Sequence, residues 1–193
     1  MISSRGENFY EPMVFSSFFI TFFVVVIALL ILAALTRGKV ERTAPKALYF
    51  YVMSFVSLLF LADGLSIFIT MIADLIVALG KINLDIKKAF LACCSLLVVA
   101  TPAYLFHWMH VRKGLGTEQE KELWPYYKYM VLGLSAICSL IFIGNLFYQA
   151  LSSILGISKF DWSLFNIILG YGIVGLIVWV YHWFFTETEK EKE

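Results

Sequence analysis

The sequence predicts an all-α, polytopic membrane protein with five transmembrane helices. One anchor helix precedes two parallel-repeat helical hairpins that form a four-helix core, N-out/C-in. Three observations carry this expectation. Of the 193 residues, 61% are hydrophobic and 15% charged, with mean hydropathy +0.83, against roughly 45–50% apolar content in a soluble domain. The apolar residues gather in runs at least as long as the ~20 residues that span a bilayer. A five-residue phrase also occurs twice, Tyr104-Leu105-Phe106-His107-Trp108 and Trp179-Val180-Tyr181-His182-Trp183, each time closing an apolar run before charged residues. Recurrence of a phrase built from such rare residue types marks a duplicated unit.

A polar lead with Arg5, Glu7 and Glu11 precedes the apolar run 15–35. The run exceeds the roughly 7–15 residues of a signal-peptide core and its lead is not basic, so it reads as a retained anchor. Arg37, Lys39, Arg42 and Lys46 then stand against Glu41 alone, the basic flank that stays on the cytoplasmic side. Residues 1–46 are thus the anchor and its cytoplasmic loop. The next run, 48–79, is longer than a span needs and must tilt, kink or keep its aromatic start, Tyr49-Phe50-Tyr51, in the interface. Gly80 is expected to end it as a left-handed cap.

The connection 81–85 is short, and Asp85 stands where a helix N-cap belongs, so the span 89–109 returns antiparallel and completes the first hairpin, 47–113. Pro102 removes one backbone donor from that span and predicts a kink. Residues 114–123 form a polar, mixed-charge cytoplasmic loop, and 124–193 are the second hairpin with its charged tail. Its first span, 127–155, stops at Gly156. The connection 157–161 ends in Asp161, and the last span is 164–185. A shift of 76 aligns Gly80 with Gly156 and Asp85 with Asp161, and a shift of 75 aligns His107 with His182. One gap separates the copies.

With this topology ten Lys and Arg fall inside and five outside (Arg5, Lys81, Lys87, Lys88, Lys159), which supports N-out/C-in. The two hairpins are then parallel copies about an axis along the membrane normal. The expected location is the cell (cytoplasmic) membrane, crossed several times. The lipid bilayer is the expected partner, with a membrane-protein partner or a second copy open. Net charge +1 leaves no broad basic field, so nucleic acid is not expected. Cys93, Cys94 and Cys138 lie inside apolar runs without metal-ligand spacing and read as reduced packing residues.

The tandem hairpins, beginning Leu48-Tyr49-Phe50-Tyr51 and Trp124-Pro125-Tyr126-Tyr127 and ending Phe-His-Trp or Tyr-His-Trp before charges, resemble a prokaryotic integral-membrane domain family of unknown function. The resemblance covers about 46–185. It implies the fold and a bacterial or archaeal membrane setting, and carries no catalytic residue, cofactor or partner across.

Two places hold candidate chemistry. At the cytoplasmic ends, His107 and His182 occupy equivalent positions, and if the hairpins pack about their pseudo-twofold the imidazoles face each other as axial haem ligands would. The competing reading is an interfacial belt of Tyr104, Trp108, Trp179 and Trp183, with each histidine at the negative end of a helix dipole. His110, three residues from His107, makes a metal pair conceivable, but no Asp, Glu or Cys joins them locally.

The second place is the outer half of the hairpins. Asp63, Thr70 and Asp74 share one helical face, as do Asn145, Gln149 and Ser152, and a shift of 75 aligns Thr70 with Asn145 and Asp74 with Gln149. These intramembrane polar stripes should face protein or water. A carboxylate at the Asp63 position costs roughly 2.5–3.5 kcal/mol on insertion scales. Asp63 therefore acts in a ligand or proton pathway, or is bonded to a neighbouring helix as structural glue. Asp74 has Lys87 and Lys88 within reach of their long stems.

No phosphate loop, Gly-x-Ser-x-Gly elbow or His-Glu-x-x-His helix is present, and the intramembrane acids are too few for a diiron site. Gly170, Gly172 and Gly175 follow Gly-x-Gly-x-x-Gly spacing, but within an apolar span this signals close helix packing, on a lipid-facing patch open to a partner helix. The expectation is a non-catalytic accessory, scaffolding or lipid-contacting component. The alternatives are a haem b electron-transfer protein and a small transporter or channel with a polar outer-half cavity.

Overall fold

The computed structural model describes residues 45–80, 82–114 and 118–190. They fold into four long helices, α1 (Pro45–Val77), α2 (Leu84–Gly114), α3 (Glu118–Ile154) and α4 (Trp162–Lys190). Each is long and apolar enough to cross a bilayer, and the described residues contain no strand. The run 15–35 lies outside them. All four helices begin before their expected spans. α3 starts at Glu118, inside the stretch expected as loop, because residues 118–122 (Glu-Gln-Glu-Lys-Glu) are all good helix formers. α4 continues into the charged tail as far as Lys190. α2 runs on through Pro102.

The hairpin turns follow the glycines, with one change of register. At the end of α1 the left-handed conformation begins at Leu79 (φ 53°) and continues through Gly80 (φ 77°), and the Gly80 N–H closes the turn on the Leu75 carbonyl at 2.9 Å. At the end of α3 Gly156 (φ 70°) takes the left-handed position, and the Ile157 N–H bonds the Ser152 carbonyl at 2.9 Å, the pattern that satisfies the last carbonyls of a helix. Asp161 caps α4 as expected, accepting from the N–H groups of Ser163 (2.9 Å) and Leu164 (3.1 Å). The cap of α2 is Asn83, not Asp85: the Asn83 Oδ1 accepts from the Ile86 N–H at 2.9 Å, and Asp85 lies in the first turn. The helix starts two residues earlier than the Asp85 cap implied because Asn83 also satisfies the exposed first-turn donors.

α1 is the central helix and packs against α2, α4 and, more lightly, α3, while α3 packs chiefly on α4. Of its most apolar stretch 44% is buried, against 22% for each of the others. Two cores result. At the end where the histidine phrases lie, Tyr51, Phe55 and Leu58 of α1 meet Tyr104, Trp108 and Val111 of α2 and Leu123, Tyr127 and Val131 of α3. At the connector end, Ile67 and Met71 of α1 pack on Ile86, Ala89 and Cys93 of α2, and α3 contributes nothing.

The second core shows that α1 and α3 part company along their length. Eighteen residues are five turns of helix, so positions eighteen apart share a face. Ser54 and Leu58 are buried, whereas Ile72 and Ile76 on the same face of α1 are exposed. Tyr127 is buried and Asn145 on the same face of α3 is exposed. The two helices touch at the histidine end, and the same faces are exposed toward the connectors.

The cap assignments are testable. Asn83→Ala and Asp161→Ala should each lower stability by about 1 kcal/mol, and Asp85→Ala by only about 0.3 kcal/mol, the size of an exposed helix-dipole contact. Thermal unfolding in mild detergent measures all three.

Candidate functional site

The polar residues of α1 face α4. Asp63, Ser66, Thr70 and Asp74 recur at steps of three and four, on one face. Each carboxylate has a donor from α4: the Tyr171 hydroxyl donates to Asp63 Oδ1 at 2.5 Å, and the Asn166 amide donates to Asp74 Oδ1 at 2.6 Å. Thr70 Oγ1 donates to the Asn166 main-chain carbonyl at 3.3 Å. Asn166 is almost fully buried. The pairing needs the two backbones close, and Gly170 supplies the room. A Cβ there would stand 2.6 Å from the Ser66 carbonyl oxygen and would strike Thr70 Oγ1.

The glycines expected on a lipid-facing patch therefore lie inside the bundle. Gly170 is buried against α1, Gly175 looks onto Ser139 of α3, with a Cβ there 3.0 Å from Ser139 Oγ, and Gly172 faces Phe142. Burial rather than lipid exposure follows because α4 packs on both α1 and α3 and comes close to them at Gly170 and Gly175.

The second stripe, on α3, does not behave as a unit. Asn145 is exposed and donates to the carbonyl of Ile141 in its own helix at 2.8 Å. Gln149 and Ser152 are buried. Ser152 shares a 2.9 Å hydrogen bond with Ser158, but neither amide atom of Gln149 has a partner. The two stripes do not line a common cavity: one is filled by α4 and the other leaves Asn145 facing outward.

At the histidine end, Tyr104 and Trp108 turn inward, 8% and 4% exposed, rather than outward as a belt. Trp108 lies against Trp124 and Tyr127 of α3 and Tyr181 and His182 of α4, and its Nε1–H donates to the Tyr181 hydroxyl at 3.1 Å. Trp179 is half-buried and Trp183 exposed, with their rings 5.5 Å apart. Tyr51 and Tyr127, aligned by the shift of 76, are in ring contact at 5.4 Å. Tyr127 Oη shares a hydrogen bond with Ser54 Oγ at 3.2 Å.

The two histidines have separate surroundings. His107 donates from Nδ1 to the Ala103 carbonyl at 2.7 Å and accepts at Nε2 from the Tyr49 hydroxyl at 3.4 Å. Its ring neighbours are Tyr49, Phe50 and Phe106. His182 donates from Nδ1 to the Val178 carbonyl at 2.9 Å, and its Nε2 is buried without a partner among Trp108, Tyr127 and Tyr181. The ring that α2 presents to His182 is Trp108, not His107. The two imidazoles share no ring neighbour. Beside Tyr127 a cavity of about 10 Å³, lined by Leu48, Tyr51, Leu123 and Met130, has room for one water. His110 stacks on Phe50 at 4.6 Å, and no group of three ligating side chains occurs among the described residues.

Asn166, Tyr171, Ser54 and Tyr127 are the site residues that sequence reasoning missed. A signal existed for the first two. In an antiparallel helix pair, the polar side chains of the last span that lie at the depth of Asp74 and Asp63 are their natural donors.

Fold and site together define a bundle of two apolar helical hairpins locked by polar contacts between the first helix and the last. Residues 47–181 match the model of the family described as a domain of unknown function, DUF5671, and the chain belongs to that family. The expected resemblance to a domain family of unknown function over about 46–185 is therefore shown. No curated protein and no solved structure matches the sequence.

Gly170→Ala should destabilise the bundle by about 1–3 kcal/mol, because the added methyl meets backbone that must move. Gly172→Ala, whose Cβ would sit at an ordinary 3.6 Å from Phe142, should leave stability unchanged or raise it by up to about 1 kcal/mol through helix propensity. Thermal unfolding of both variants separates the two glycines.

Proposed function

We propose that this chain is a multi-pass protein of a prokaryotic cytoplasmic membrane, N-out/C-in with the run 15–35 as a fifth span, acting without catalysis as an assembly or scaffolding component. The observation that carries this reading is the capture of both α1 carboxylates by α4, Asp63 by Tyr171 and Asp74 by Asn166. A carboxylate that serves transport must exchange water or substrate during the cycle, and these two are engaged by neighbouring helices across a contact too close for a methyl group at Gly170. Structural glue is the use that such bonded polar groups serve in helical membrane proteins.

The orientation rests on the charge count, with Arg112, Lys113 and Lys128 at the histidine end and Lys87, Lys88 and Lys159 at the connector end among the residues that decide it. The outward faces support lipid contact. On α2, Leu91, Val98 and Val99 are widely exposed, as are Leu140, Phe147 and Leu151 on α3, the apolar coat that a bilayer requires.

Reconstitution tests the reading. Vesicles holding the purified chain and an internal pH dye should conduct protons and monovalent cations no faster than empty vesicles, and Asp63→Asn should leave this unchanged. In the same preparation Tyr171→Phe should lower thermal stability by about 1 kcal/mol. A flux that Asp63→Asn abolishes would establish the transporter alternative. A redox-sensitive Soret band lost in His182→Ala would establish the haem alternative.

A further inference from the structure

The contacts between helices fix which residues lie at one level of the bundle. Asp63 and Asp74 of α1 meet Tyr171 and Asn166 of α4, and Gly64 of α1 lies against Leu96 and Leu97 of α2. On α3, Phe142 stacks on Tyr171 and Ser139 stands against Gly175. Counting outward from these contacts at equal rise per residue, Asp74 of α1, Lys87 and Lys88 of α2, Ser152 of α3 and Trp162 of α4 share one level to within about a turn. At the other end Phe184 of α4 is level with Trp108 of α2, whose ring meets His182.

From Trp162 to Phe184 the apolar stretch of α4 rises about 33 Å, close to the ~30 Å of a hydrocarbon core. The level of Trp162 is therefore one edge of that core, and its members suit an edge. A tryptophan ring favours the interface. Helix side chains lean toward the helix start, which for α2 points away from the core, so the long stems of Lys87 and Lys88 carry their ammonium groups outward.

Beyond this edge the chain does not turn polar. Leu79, Ile82 and Leu84 around the first connector and Ile154, Leu155 and Ile157 around the second are all widely exposed, Leu79 at 88% and Ile157 at 73%. The carboxylates near this level are engaged: Asp74 by Asn166 and Asp161 by the first N–H groups of α4, while Asp85 lies in the first turn of α2. Lys87 and Lys159, both exposed, are left to face outward. Apolar tips with lysines and a tryptophan at their base match the headgroup layer, about 5–7 Å deep on each side of the core. The rise from Lys88 back to Leu84, about 6 Å, equals that depth.

We infer that both hairpin connectors are embedded in the phospholipid headgroup layer, with the hydrocarbon edge at the level of Asp74, Lys88, Ser152 and Trp162, so that this face of the protein is flush with the membrane. This rests on the multi-pass reading above and assigns its lipid contact to named residues.

The full chain in phosphatidylcholine vesicles tests this at two places. The fluorescence of Trp162, taken as the difference between the native chain and Trp162→Phe, should be quenched roughly twofold more by lipid brominated near the carbonyl than by lipid brominated near the chain end. Nitroxides at Ile82→Cys and Ile157→Cys, in a chain carrying Cys93→Ala, Cys94→Ala and Cys138→Ala, should collide with a water-soluble nickel chelate roughly threefold less often than a label free in solution. They should also collide with oxygen less often than a label at Val98→Cys. Nickel collisions equal to those of the free label would overturn the inference and leave the tips in water, open to a protein partner. Oxygen collisions equal to those at Val98→Cys, or Trp162 quenched best from the chain end, would overturn it by placing the edge beyond the connectors. Flotation of the chain with carbonate-washed vesicles reports membrane insertion separately, so failure of the tip depth and failure of the multi-pass reading are distinguishable.

Discussion

Within a hydrocarbon medium a polar side chain has only other protein groups to bond, and this fold is arranged around that constraint at α1. Two carboxylates and a run of hydroxyls occupy one face of that helix, and α4 brings a donor to each carboxylate, from Asn166 and Tyr171. Placing the donors at bonding distance forces the two backbones together, which is possible because position 170 lacks a side chain. The hydrogen bonds, the close crossing and the central place of α1 are one structural decision. The individual bonds are worth about 1 kcal/mol each, yet together they fix which helix lies beside α1 and at what register, because an apolar face alone would accept many.

The same decision explains why two hairpins with matching sequence phrases do not make a symmetric bundle. Under the shift of 75, Asn166 and Tyr171 of α4 correspond to Leu91 and Leu96 of α2, neither of which can donate. On the other side of the pair, Asp63 corresponds to Cys138 or Ser139 and Asp74 to Gln149 or Ala150, according to which of the two shifts is applied, and none of these is a carboxylate. The contact that holds α1 to α4 therefore has no counterpart between α3 and α2. α2 folds back on α1 and α3 leans on α4. At the histidine end the equivalent residues Tyr51 and Tyr127 still meet.

Much of the fold could be read from the chain because it follows from local rules. Helix lengths come from the apolar runs, turns from Gly80 and Gly156, and the α4 cap from Asp161. The family over the hairpins was legible from the repeated aromatic-His-Trp endings. The α2 cap was misplaced by two residues because Asn83 and Asp85 are both competent caps, and only the backbone trajectory after Leu79 decides between them. The polar stripe on α1 was visible, but its partners were not, since a stripe reports that a face must be satisfied without saying by which helix. The Gly170 group was assigned to lipid for the same reason. Small residues mark a close approach, and the sequence does not tell an internal approach from an external one.

The histidines show most clearly how far equivalence in sequence can depart from equivalence in place. His107 and His182 stand in nearly identical phrases and both donate Nδ1 to the carbonyl one turn back, as the local helix geometry dictates. Their outward nitrogens depend instead on what the bundle brings near. His107 meets the hydroxyl of Tyr49, at the half-exposed start of α1. His182 is enclosed by Trp108, Tyr127 and Tyr181 and meets no donor. A neutral imidazole left with a bare lone pair in an apolar enclosure forgoes a hydrogen bond, a cost of about 1–3 kcal/mol. The rings around it return packing to α2, α3 and α4 at once. At this end of the molecule the histidine position serves the aromatic core, in which Trp108 is the residue that reaches across from α2.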